Sequence, residues 1–145
     1  MPGSSQRVRP AGKLRAAHLM AGVLMAAWVG AAAAPSWVKV ADMNDGDALF
    51  VDASSSKTQD ATTALTSLLV YGRPQLQGQG SAVQATRAQW ELRCQDRHYR
   101  YLSFSTHAGK TADSAVISRD SQPSAWSSAP PESMPAKLLR WACKP

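Results

Sequence analysis

Residues 87–105 read RAQWELRCQDRHYRYLSFS, two runs of alternating side chains joined by a polar turn. Trp90, Leu92 and Cys94 alternate with Glu91 and Arg93, the two-residue period of a strand with one buried face. Gln95 and Asp96 supply the turn. Beyond it, Tyr99 and Tyr101 are expected on one face and Leu102 and Phe104 on the other. Two such runs closing on a short turn form an antiparallel pair, and that pairing sets the expectation for the rest of the chain.

Working outward, the same grammar recurs. SWVKVADM (36–43) and DALFVDAS (47–54) flank Asn44-Asp45-Gly46, a hairpin with its turn residues in place. TALTSLLVYG (63–72) is β-rich and is expected to stop at Gly72 and Pro74, while QLQGQGSAVQA (75–85) reads as a loop broken by Gly78 and Gly80. SAVISR (114–119) and SAWSS (124–128) are further short strands. Strands at this spacing argue for an antiparallel sheet of about six strands rather than βαβ units. One helix is expected, at the end of the chain. Ser133 suits an N-cap, and Pro135 falls in the first turn, where its missing N–H is tolerated. Met134, Leu138 and Trp141 then form one apolar stripe. The fold class is α+β, a sheet with a C-terminal helix on one face.

The N-terminus sets the compartment. Arg7, Arg9, Lys13 and Arg15 precede the apolar stretch from Ala16, which runs to Ala31–Ala34 and Pro35. A basic leader, an apolar core and small residues at a cut site are the parts of a secretory signal peptide. Residues 1–33 are therefore expected to be a signal peptide cleaved near Ala33, leaving 34–145 as one domain. An uncleaved anchor is the rival, because spanning a bilayer takes about 20 apolar residues. Export to the periplasm or cell surface follows, with no stable membrane insertion after cleavage. No cysteine follows the apolar stretch, which excludes an acyl anchor of the lipobox type.

Export changes the meaning of charge and of cysteine. The chain holds 16 Lys and Arg against 10 Asp and Glu, formally +6, but four of the cations lie in the leader. The remaining charge of +2 is too small to point to nucleic acid. Cys94 and Cys143 are the two cysteines. In an oxidising compartment their simplest fate is to pair with each other, clamping the short helix to the sheet. Closing a loop of that length stabilises by ~4 kcal/mol on the chain-entropy view. An intermolecular bridge and a reactive thiol remain as alternatives.

Several residues carry a further pattern: Trp37 opening the first strand, FVDASSS around Asp52, VYGRPQ, ELRC with Cys94, Trp126 before Pro-Pro, and a terminal helix ending at Cys143. In order and spacing this resembles the surface-adhesin protein E family of Gram-negative bacteria. The resemblance covers Trp37 to Cys143. It implies a six-stranded antiparallel sheet with a C-terminal helix held to one face by the disulfide. It also implies a surface role in binding host extracellular proteins, and it carries over no binding residue.

Other motifs are weak. Asp42, Asn44 and Asp47 outline the start of a calcium loop, but the closing Glu is missing. His98 and His107 are too few for tetrahedral zinc once both cysteines are paired. No serine motif of the G-x-S-x-G kind occurs, and Gly78-Gln79-Gly80 is a lone G-x-G without its context. Arg93, Arg97 and Arg100 among Tyr99 and Tyr101 suggest a polyanion or stacking surface, although Glu91 and Asp96 interrupt it. The sequence therefore reads as an exported, non-enzymatic binding domain with no cofactor and no metal. Its partner is expected to be a host or extracellular protein, not nucleic acid. The alternative is a periplasmic accessory protein that holds a partner or small ligand. Self-association into a homodimer stays open.

Overall fold

The computed structural model describes Gly30, residues 32–78 and residues 80–144. The leader expected over 1–33 lies outside these, save Gly30, Ala32 and Ala33. Among the described residues no helix is long and apolar enough to cross a membrane.

Six strands follow one another in sequence and in space. They are β1 (Trp37–Asp42), β2 (Ala48–Gln59), β3 (Thr62–Gln77), β4 (Ser81–Arg93), β5 (His98–His107) and β6 (Val116–Asp120). Each is antiparallel to the next, and a two-residue β7 (Ser127–Ser128) pairs with the start of β5. The helix α1 (Met134–Ala142) closes the chain. Short turns make this order possible. A 3-10 turn at Asn44–Gly46 joins β1 to β2, where the sequence places it. Asp60 and Arg97, at φ 53° and 56°, provide the left-handed residues for the next hairpin and for the turn after β4.

The expectation that β3 ends at Gly72 and Pro74 is wrong. The strand continues to Gln77, and β4 begins at Ser81, so most of the presumed loop is hairpin. Pro74 is tolerated because the register slips between Val70 and Gln75, the kind of irregularity where a missing N–H costs nothing. Gly72 answers a different need. A Cβ there would lie 2.5 Å from Asp45 O and 2.8 Å from Gly46 O, so only glycine lets the β1–β2 turn sit against β3. The Gly72 N–H in turn donates to Asp47 Oδ1 at 2.8 Å.

A second departure lies in β5. Gln89 pairs with Ser103 and Trp90 with Tyr101, which leaves Leu102 as an extra residue. The bulge moves Phe104 onto the face of Tyr99 and Tyr101, against the expected alternation. Tyr99 and Tyr101 then pack on Trp90, with centroids 5.8 Å and 6.2 Å away, and Phe104 packs on Tyr101 at 6.0 Å.

That face is the core. Leu49 and Val51 of β2, Leu65 of β3 and Ala88, Trp90 and Leu92 of β4 meet Leu138 and Leu139 of α1. Each fully buried leucine contributes roughly 1.5–3 kcal/mol. Trp90 satisfies its indole N–H on Ser67 Oγ at 2.8 Å. Ser133 caps α1, accepting from Ala136 N at 3.3 Å. Met134 and Trp141, expected in the apolar stripe, flank the buried Leu138–Leu139 pair as partly covered side chains. Cys94 and Cys143 are bonded, with Cα atoms 5.5 Å apart. Cys94 is the first residue beyond β4 rather than a strand residue, so the bond joins the helix C-cap to the β4–β5 turn.

Candidate functional site

The sheet face away from α1 carries no helix or second sheet, although Leu68, Ala85 and His107 on it are buried, and the strand register lays its side chains out in rows. One row runs Lys39, Phe50, Leu68, Arg87, Ser105, Arg119 from β1 to β6. On one side of it lie Ala48, Val70, Ala85 and His107, and on the other Trp37, Asp52, Thr66, Gln89 and Ser103. Two adjoining depressions share Arg87, Ala112 and Asp113. The first, of about 750 Å³, has an apolar floor of Ala48, Phe50, Leu68 and Val70, with Pro35 and Trp37 as one wall and Lys110–Asp113 as the other. The second, of about 380 Å³, is polar, with Gln89, Ser105, Arg119 and Asp120 among its residues.

Hydrogen bonds hold both walls of the first groove. The β1 wall is fixed through Asp52, 7 % exposed, whose Oδ1 accepts from Ser36 N at 2.8 Å, Ser54 N at 3.0 Å and Ser54 Oγ at 2.6 Å. Burial pushes the Asp52 carboxyl up, but the Ser54 hydroxyl, the N–H groups of Ser36 and Ser54 and the charge of Arg87 together bring it below its ordinary value of 3.8. Ala53 N also donates to Ser36 O at 2.8 Å. The opposite wall is the β5–β6 loop, closed by Ala108 N to Ala115 O at 2.9 Å and by Ser114 Oγ to Thr111 O at 2.6 Å. Asp113 is held below the usual carboxylate range by the Thr111 hydroxyl and its own backbone N–H. Behind the loop His107, 2 % exposed, faces Ser114 O through Nδ1 at 3.0 Å and Ser105 Oγ through Nε2 at 2.8 Å. A carbonyl only accepts, so Nδ1 donates to Ser114 O.

The sequence-marked residues fall elsewhere. Tyr99 and Tyr101 lie in the core, so the suggested stacking surface with Arg93 and Arg100 does not form. The two arginines instead both pack over the Trp126 ring, at 4.3 Å and 4.8 Å from its centroid. Each also has a carboxylate: Arg93 pairs with Asp96 at 2.7 Å and Arg100 with Glu91 at 2.6 Å. Their charge is spent internally. Arg97 occupies the left-handed turn position, exposed. Of the calcium-like set, Asp42 pairs with Lys39 and Asp47 accepts from Gly72 N, while Asn44 sits in the 3-10 turn. His98 and His107 stand at opposite ends of β5, a separation of roughly 30 Å along the strand.

The order of six strands, the covered face and the covalently held terminal helix together match the surface-adhesin protein E pattern, and the surface-adhesin protein E family matches residues 37–144. The chain belongs to that family. Crystal form II of Haemophilus influenzae protein E superposes with a TM-score of 0.60 at 9% identity, covering 74% of this chain and 86% of that one. The selenomethionine form of the same protein gives 0.57 at 11% identity, over 77% and 92%. At such identity the likeness is one of fold. No curated protein matches the chain. Of the groove residues, Phe50 and Val70 stand only in segments that carry the family resemblance, and Leu68, Arg87 and Lys110 were not singled out as a site in the sequence. A signal was present in ALFVD (48–52), where Leu49 and Val51 alternate with Ala48 and Phe50. Apolar residues on both parities mean a strand with two apolar faces.

Proposed function

We propose that the protein is an exported, non-enzymatic binding domain that contacts host or extracellular macromolecules, with residues 1–33 directing export and removed near Ala33. The observation that carries this reading is the asymmetry of the sheet. One face is covered by a disulfide-held helix, and the other presents half-buried Trp37 and Phe50 beside exposed Arg87 and Arg119. Family membership supports the surface role. Protease shaving of intact cells tests display, and binding of the protein to immobilised extracellular-matrix proteins tests the contact. Arg119→Glu, on the edge strand of the open face, is expected to weaken binding about tenfold, on the scale of one charge-assisted contact. Lys137→Glu on the helix side is expected to leave it unchanged. Full protection of the protein inside intact cells would favour the second reading, a periplasmic accessory protein, for which the apolar groove is the supporting feature.

A further inference from the structure

The apolar groove has the properties of a small-molecule site rather than of an exposed patch. Its volume of about 750 Å³ falls within the range of roughly 300–1,000 Å³ typical of ligand pockets. It is also pre-formed. The Trp37 wall is fixed by the Asp52 hydrogen bonds and the loop wall by its own closure, so a ligand need not order either one. Gly109 allows the loop to fold this tightly, since a Cβ there would come within 2.8 Å of Ser114 Cβ.

Charge at the groove is unequal. Arg87 rises from the floor and Lys110 from the loop wall, both exposed, and among the described residues neither forms an ion pair. Asp113 also lines the groove and stays ionised, its pKa lowered, and Asp52, whose pKa the charge of Arg87 helps to lower, lies one row away, so the two cations of the lining exceed its one carboxylate by a single charge. The lining therefore offers an indole, a phenyl ring and aliphatic side chains for an apolar body, with two cationic donors at the edge for an anionic head.

We propose that this groove binds a free single-chain amphipathic carboxylate, its alkyl body lying along Trp37, Phe50, Leu68 and Val70 and its head group meeting Arg87 and Lys110. The inference goes beyond the macromolecule-binding reading and does not depend on it: a domain displayed at the surface or kept in the periplasm would bind such a ligand equally.

Trp37 supplies the readout. Titrating the purified protein with dodecanoate, below its micelle concentration, is expected to change tryptophan fluorescence saturably at one ligand per chain. Trp37→Phe should abolish most of the change, assigning it to the groove. Dodecanol and dodecyltrimethylammonium, carrying the same chain on a neutral and a cationic head, are expected to bind about tenfold more weakly or worse, the scale of losing a charge-assisted hydrogen bond. Arg87→Gln with Lys110→Gln, both on exposed side chains, should remove that preference while the thermal melt stays in place. Ala112→Trp, which fills the groove from the loop, should block all three ligands. Equal binding of the three head groups overturns the proposal, as does the absence of saturable binding. A response only to anionic vesicles, or a dimer in sedimentation that is lost with Ala112→Trp, would show a membrane or a second copy as the occupant instead.

Discussion

At the scale of single residues, the chain places its few buried polar groups where they join segments. Asp52 is the clearest case. Its carboxylate receives donors from Ser36 and Ser54, tying the entry of β1 to β2. Because its folded pKa is lowered relative to the ordinary 3.8, its contribution is complete above that value. It is lost as pH falls through the lower folded value, since the folded state must then take up a proton it binds poorly. Acid titration of stability should therefore show a fall beginning near pH 4 in the native protein. Asp52→Asn is expected to be less stable by about 1–2 kcal/mol at neutral pH, the cost of weaker acceptance from buried donors, and to show a shallower decline below pH 4. Denaturant midpoints measured from pH 7 to pH 2 check this. Parallel curves for the two proteins would place the acid sensitivity elsewhere.

At the scale of elements, the helix and the strands differ in how far the sequence specifies them. α1 was legible because its cap, its proline and its stripe are local signals, and Ser133, Pro135 and Leu138 occupy the roles those signals assign. Its attachment was legible too, given an oxidising compartment. The lengths of β3 and β4 were not. Gly72 and Pro74 look like a stop until one knows that another turn of the chain rests on Gly72, which is a tertiary fact with no local trace. Leu102 likewise bulges without a glycine or proline to announce it. The apolar groove escaped notice for a related reason: its residues come from four strands and a loop, brought together only by register. For α1 the consequence is measurable. Nine residues are too few to hold a helix alone, so Cys143→Ser should cost roughly 2–4 kcal/mol in denaturant unfolding. It should also open the last turn to proteolysis, exposing Leu138 and Trp141. A Cys143→Ser protein with native stability and protection would mean that packing on Leu49, Val51 and Leu92 holds the helix without the bond.

At the scale of the whole molecule, the question is where the folded unit begins. The family match starts at Trp37, whereas the compact unit of the chain starts at Ala32, and the expected processing site leaves Ala34 as the first residue. Hydrogen bonding decides between these boundaries. Ser36 donates its N–H to Asp52 and its carbonyl accepts from the Ala53 N–H, two bonds that lie before the family's first matched position. They also set the direction from which Trp37 enters β1, and Pro35 just before them forms part of the groove wall. A chain beginning at Ala34 is therefore expected to melt at the same temperature as one beginning at Ala32. One beginning at Trp37 keeps every strand but leaves Asp52 and the Ala53 N–H short of a partner. It should lose about 1–3 kcal/mol, and Trp37 should become more accessible to an added fluorescence quencher. If the chains from Ala34 and Trp37 proved equally stable and equally shielded, residues 34–36 would be spacer rather than structure. The groove would then lack the fixed Trp37 wall along which the ligand's alkyl body is proposed to lie.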